Sequence, residues 1–108
     1  MAKLEKNIYG NFDEILRAIE NGVLSASISA SLEDGADYIY PDARCSVRVF
    51  ERYSYTGNNR VSMNVTLFQR SGGPVHLCAV TSGGSQAMFL KINTWGEEAF
   101  LSTLREIL

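Results

Sequence analysis

The segment RSGGPVHLCAVTSGGSQAMF (70–89) carries the residues whose types and spacing could do chemistry. It contains Ser-Gly-Gly twice, and His76 and Cys78 lie between the two copies. A glycine-rich loop that cradles a phosphate leads directly into a helix, whose N-terminal N–H groups converge on the anion. Here each copy is followed by an alternating run of the kind that forms a strand. We therefore predict two tight turns around a strand rather than a phosphate loop.

His76 and Cys78 are also the pair whose types suit acid–base or nucleophilic catalysis. At positions i and i+2 of a strand they share a face, but their side chains stand too far apart for a Cys–His hydrogen bond without a bend. Cys45 is distant in the sequence, and no closely spaced ligands of the zinc type occur. The sequence therefore predicts no catalytic residue, no metal site and no cofactor, with both cysteines reduced and packed.

Tyrosines in a predicted polar loop suggest a different kind of site. Tyr38 and Tyr40, together with Arg44, are candidates for the edge of a small-ligand site, because binding residues often lie on loops. Glu51 falls on the inward positions of its strand, where it either reaches water near the strand end, pairs with an arginine, or becomes a perturbed carboxylate in a cavity. Trp95 is the candidate for a pocket between the sheet and a C-terminal helix.

Arginines recur at even positions of the two central strands. If the odd positions face the core, the even ones form a polar, basic outer face, provided that a three-residue loop joins the strands. This face is either a solvated strand surface or a surface for an anion or an acidic protein partner. An isoelectric point of about 5.3 disfavours a nucleic-acid-binding domain. The candidate surface residues are Arg44, Arg48, Phe50, Arg52, Phe68 and Arg70.

Hydrophobic periodicity predicts the elements that position these residues. A helix over 12–21 begins at the Asn11 cap and stops at Gly22, and a second helix follows the Thr94 cap to the chain end. Between the two helices, apolar residues recur at every second position, which is typical of strands, and a polar loop is predicted over 33–42. The predicted fold is one α+β domain (1–108) of order β-α-β-β-β-β-β-α. Its antiparallel sheet has five or six strands, and an N-terminal and a C-terminal helix pack on one face; residues 3–9 form a weaker strand at an edge.

The capped helix NFDEIL, the meander of strands and the C-terminal TWGEEAFLSTLREIL resemble small bacterial proteins of the helix-grip or TATA-binding-protein-like arrangement. This resemblance covers nearly the whole chain and depends on the order of elements. It implies a curved sheet with the C-terminal helix packed on it, sometimes around a cavity, and it implies no reaction.

The segment 75–92 is predicted to be a hairpin with two apolar faces. A turn at Gly83-Gly84 pairs His76 with Lys91 and Cys78 with Phe89, and it places Val80 on the same face. One face can cover the core, so the other must meet another surface, and a second copy of the chain is the simplest partner. The predicted interface residues are His76, Cys78, Val80 and Phe89.

The sequence thus favours a non-enzymatic, homodimeric protein that acts through an interaction surface. A small-molecule binder with a pocket under the C-terminal helix is the first alternative, and binding of an anion or a nucleic acid on the arginine face is the second. The start MAKLEKNIYGNFDE contains neither the apolar core of a signal peptide nor a membrane-spanning segment, so we expect a cytoplasmic protein.

Overall fold

The computed structural model describes residues 2–26, 28–54 and 59–83, which form one helix and five strands. The strands make a single antiparallel sheet in the order β1-β5-β4-β3-β2, so β1 and β2 are its edges. The elements in chain order are β1 (Ala2–Ile8), α1 (Phe12–Ala26), β2 (Ser31–Tyr40), β3 (Ala43–Ser54), β4 (Asn59–Arg70) and β5 (Val75–Gly83).

The predicted fold, with two terminal helices on one face of the sheet, is wrong for the described residues. They contain β-α-β-β-β-β, with α1 as their only helix and a sheet that makes up most of the structure. The predicted C-terminal helix and the predicted strand before it lie outside the described residues. The result is a small α+β domain whose sheet carries α1 on one face.

Helix α1 begins where the sequence predicts and ends later. The side chain of Asn11 accepts a hydrogen bond from the Glu14 amide (3.0 Å), which confirms the N-terminal cap. Gly22 does not stop the helix, because Val23 continues its apolar stripe and is 1% exposed, which outweighs a glycine cost of about 1 kcal/mol. Among the described residues, no helix is long and apolar enough to cross a membrane.

The boundaries predicted after α1 are also wrong. Residues 23–26, predicted to start a strand, belong to the helix, and most of the predicted loop 33–42 is strand β2. β2 pairs with β3 along its length, with an irregularity between Leu32 and Asp34. The predicted edge strand at the start of the chain is confirmed as β1.

The core lies between α1 and one face of the sheet, which we call the helix face. Four side chains of α1 are buried against it: Phe12, Leu16, Ile19 and Val23. The sheet contributes fully or almost fully buried side chains from its three inner strands, namely Phe50, Val61, Met63, Val65, Leu67, Val75, Leu77 and Ala79.

The pairing of β3 with β4 overturns the predicted faces. Ser54 pairs with Asn59, so four residues separate the strands instead of three. A connection with an even number of residues brings even-numbered residues of β3 and odd-numbered residues of β4 to the same face of the sheet. Phe50, predicted to lie outside, therefore pairs with Met63 and is fully buried under α1.

β5, predicted as the first strand of a hairpin over 75–92, is an inner strand of the described sheet. Along Val75–Thr81, β5 is bonded to β4 on one side and to β1 on the other. The second strand of the predicted hairpin lies outside the described residues. The first Ser-Gly-Gly is a turn, as predicted: Gly72 adopts a φ of +79°, and Leu67 pairs with Leu77.

Candidate functional site

The face of the sheet turned away from α1, which we call the outer face, brings together residues that are far apart in the sequence. The strand register places one residue from each strand side by side across it. This first row, from β2 to β1, is Tyr38, Cys45, Phe68, His76 and Asn7.

Two further rows follow along the strands. The second row is Ala36, Val47, Thr66, Cys78 and Glu5, and the third is Asp34, Val49, Asn64, Val80 and Lys3. The apolar members lie mainly on β3 and β5 and are half-buried. Charged members occur only on the edge strands. The three rows therefore form an apolar centre with charges at two sides.

Aromatic side chains extend this apolar centre into solvent. Tyr38 is 53% exposed and Phe68 is 38% exposed, and both lie in the first row. Tyr40 and Tyr53, at the two ends of the same face, are 62% and 49% exposed. Contiguous exposed apolar surface of this kind marks contact sites, and aromatic residues are enriched there.

His76 is held in place by its neighbours in the first row. Its Nδ1 lies 2.6 Å from Oδ1 of Asn7, and its ring stacks beside Phe68 with a centroid separation of 6.3 Å. Cys78 lies on the same face, and both it and Cys45 are free thiols. Among the described residues, no group of His, Cys, Asp and Glu could hold a metal ion.

The helix face has a polar side, centred on Arg48 of β3. The Arg48 side chain is 12% exposed, and its Nε donates to Glu20 of α1 (2.8 Å) while its Nη2 donates to Asp37 of β2 (2.9 Å). Ser46, which is 2% exposed, donates to the same Asp37 carboxylate (2.6 Å). The Ser46 hydroxyl, and after it the Arg48 guanidinium, holds the pKa of Asp37 below its usual value.

Gly35 gives Arg48 its path across β2. A Cβ at this position would lie 2.9 Å from the carbonyl oxygen of Val47 and 3.0 Å from Cδ of Arg48. A glycine is therefore needed where the arginine passes, and the two residues are directly paired in the strand register. Arg48 thus fastens the edge strand β2 to both β3 and α1.

Arg44 makes a second contact between β3 and α1. Its Nη2 donates to Asp13 (2.9 Å), and its guanidinium carbon lies 4.3 Å from the centre of the Phe12 ring. This hydrogen bond holds the pKa of the Asp13 carboxyl below its usual value. The Nε atom of Arg44 is buried and has no hydrogen-bond acceptor among the described residues.

A cleft of about 230 Å³ opens at the end of the sheet where Arg44 lies. Its walls come from the β2–β3 turn and the β4–β5 turn, which are joined by a hydrogen bond from the Ser71 amide to the Asp42 carbonyl (2.8 Å). The lining residues that carry polar or aromatic groups are Tyr40, Asp42, Arg44, Gln69, Arg70 and Ser71.

The predicted ligand-site residues are only partly brought together. Tyr40 and Arg44 both line the cleft, whereas Tyr38, on the outer face like Tyr40, does not line it. Glu51 is paired with Arg60 (2.6 Å), which is one of the alternatives that the sequence left open. Trp95, and the pocket predicted beneath the C-terminal helix, lie outside the described residues.

The predicted arginine face is split between the two sides of the sheet. Arg44, Arg48 and Arg52 share the helix face with Phe50, whereas Phe68 and Arg70 lie on the outer face. Two of these arginines are bound to acids of α1 that the sequence did not indicate as their partners.

Of the predicted interface residues, His76, Cys78 and Val80 lie together on the outer face, and Phe89 is outside the described residues. The residues beside them in each row were not predicted. Asn7, Val47 and Val49 come from strands whose register with β5 no local pattern specifies.

The chain matches the model of one protein family, described as "Family of unknown function (DUF6054)", over residues 1–108, and it belongs to that family. The comparisons with curated proteins and with solved structures found no significant match. The resemblance to helix-grip and TATA-binding-protein-like proteins is therefore not confirmed.

Proposed function

We propose that this member of the DUF6054 family acts as a self-associating binding protein, and that its outer face binds the outer face of a second copy. The observation that carries the proposal is the three-row arrangement, in which an apolar centre with exposed aromatic residues is bordered by Asp34 on β2 and by the ion pair of Lys3 with Glu5 (3.0 Å) on β1. An interface between identical surfaces must be complementary to itself under a two-fold axis. The three rows can be tested for that property.

A two-fold axis that runs along β4 between two facing sheets makes the rows complementary. It places β3 over the partner's β5 and leaves each residue in its own row. Val49 then meets the partner's Val80, and Val47 meets the partner's Cys78. Phe68 lies on the axis against its own copy. Aligned packing of two sheets buries such inner faces about 10 Å apart.

The same axis also pairs the charges at the edges. It places β1 over the partner's β2, so that Lys3 meets the partner's Asp34 at both ends of the interface. The other axis in this plane, perpendicular to the strands, would set Glu5 against the partner's Glu5. It would also set Asp34 against the partner's Tyr38. Within the three rows, charge complementarity therefore selects the axis that runs along the strands.

Exchanging the two edge charges tests this arrangement. We expect Lys3→Asp and Asp34→Lys each to weaken dimerisation about 30-fold, because each replaces two attractive contacts by two repulsive ones, about 2 kcal/mol in total. An equimolar mixture of the two variants should recover tight association, because both contacts in the mixed dimer are again between opposite charges. Sedimentation equilibrium at low salt measures all three constants.

The control is Lys6→Asp, which makes the same charge change on the same strand but on the opposite side of the sheet. It should leave the dissociation constant unchanged. If the mixture associates no better than either variant alone, the proposed contact between Lys3 and the partner's Asp34 does not exist.

A further inference from the structure

The cleft at the end of the sheet presents two arginines of different character. Arg44 is fixed, because Asp13 binds its Nη2 and the Phe12 ring supports its guanidinium. Arg70 is exposed, and its side chain makes no ion pair or hydrogen bond among the described residues. Both side chains line the same cleft, against a single acid, Asp42. The lining of the described cleft is therefore positive on balance.

Arg44 retains hydrogen-bonding capacity that the fold does not use. Its Nε is buried without an acceptor among the described residues, although buried donors are nearly always paired. An N–H in a guanidinium is a strong donor to carboxylate and phosphate oxygens, which it contacts in the plane of the group. An oxyanion in the cleft is the kind of ligand that would use it.

The remaining walls of the cleft indicate which chemical group is attached to such an anion. Ile39, Tyr40 and Pro41 form one apolar and aromatic side, and Tyr40 is 62% exposed. The opposite side is the β4–β5 turn, where Gln69 is held by a hydrogen bond to the Gly73 carbonyl (2.9 Å). The cleft volume of about 230 Å³ lies just below the range of roughly 300–1,000 Å³ that is usual for ligand pockets, which suits a small ligand.

We propose that this cleft is a binding site for a small organic anion, a carboxylate or a phosphate monoester attached to an apolar or aromatic body. Arg70 and Arg44 contact the anionic group, and Tyr40 packs against the body. The cleft adjoins the first row of the outer face, because Arg70 follows Phe68 by two residues on the same side of β4. The titration is therefore carried out both on the wild type and on the Phe68→Asp variant, so that ligand binding and dimerisation are tested separately.

Titration by two-dimensional ¹H–¹⁵N NMR tests the site with three matched probes: benzoate, phenyl phosphate and the neutral benzyl alcohol. We expect benzoate or phenyl phosphate to shift the amide signals of Ala43, Ser71 and Gly72 with a dissociation constant of about 1 mM. The stronger of the two anions identifies the ligand class. Benzyl alcohol, which lacks the charge, should bind about tenfold more weakly or not at all.

Two variants distinguish binding in the cleft from non-specific attraction between an anion and any exposed arginine. Arg70→Gln changes an exposed side chain, should leave the fold intact, and should weaken binding of the stronger anion about tenfold. Arg17→Gln removes an exposed arginine of α1 and should change nothing. The proposal is overturned if neither anion shifts these amides at about 10 mM, if benzyl alcohol binds equally well, or if Arg70→Gln and Arg17→Gln behave alike.

Discussion

Phe68→Asp is expected to turn the dimer into a monomer, with a dissociation constant raised about 1000-fold. In the proposed arrangement Phe68 lies on the two-fold axis, so one substitution places two carboxylates against each other in a desolvated centre. Burying unpaired charge in this way costs about 4 kcal/mol or more. The monomer itself should be little affected, because Phe68 is already 38% exposed on the outer face. Sedimentation equilibrium gives the constant, and thermal unfolding of the variant checks the fold.

Leu24→Asp is the matched control for Phe68→Asp. Leu24 is 37% exposed on α1, which packs on the opposite face of the sheet, and the change again replaces a partly exposed apolar side chain by aspartate. It should leave the association constant as it is in the wild type. Equal association of Phe68→Asp and the wild type would show that the outer face is not the interface.

Arg48→Ala is expected to lower the free energy of unfolding by about 3 kcal/mol. The substitution leaves Glu20 beneath the sheet without its cation, and it removes the Arg48 donors to the Val47 carbonyl (2.9 Å) and to Asp37. Removing one partner of a well-buried pair costs about 3–5 kcal/mol, and the exposure of Asp37 places this case at the lower end. Urea unfolding followed by circular dichroism measures the loss.

The comparison variant is Arg17→Ala, the same substitution at an exposed position of α1. It should change stability by less than about 0.5 kcal/mol. If the two variants lose the same amount, Arg48 does not fasten β2 to α1, and the edge strand is held by its backbone pairing alone.

The parts of the fold that follow local rules could be predicted from the sequence. Asn11 begins α1 because its side chain accepts the Glu14 amide, and such caps depend on a few neighbouring residues. The alternation of apolar residues likewise located β3, β4 and the described part of β5. His76, Cys78 and Val80 lie on one face for the same local reason, because they occupy positions i, i+2 and i+4 of a strand.

Which residues of β3 face α1 depends on whether the loop between β3 and β4 has three or four residues. A loop of three residues between β3 and β4 would have placed the arginines outside, whereas the loop of four places Arg44 and Arg48 under α1. The sequence around the turn does not determine this number. Because of this one additional loop residue, two arginines predicted to lie on a basic surface form ion pairs with α1 instead.

β2 could not be predicted because its strand conformation depends on distant partners. Its sequence SLEDGADYIY is rich in acids and contains a glycine, which locally favours a loop. In the fold, Ser46 and Arg48 bind Asp37, and Gly35 makes room for the arginine. Tertiary contacts of this kind override local preference, and they also bring Tyr38 and Asp34 to the outer face.

The most direct test of self-association through the outer face is an isotope-filtered NOE measurement on an equal mixture of ¹³C-labelled and unlabelled wild-type chains. Val49 and Val80 are both paired with Asn64, so within one chain a strand separates them by roughly 9–10 Å. We predict NOEs between the methyl groups of Val49 in one chain and Val80 in the other. The account is contradicted if no NOE between chains is observed, or if the observed NOEs join residues of α1 instead.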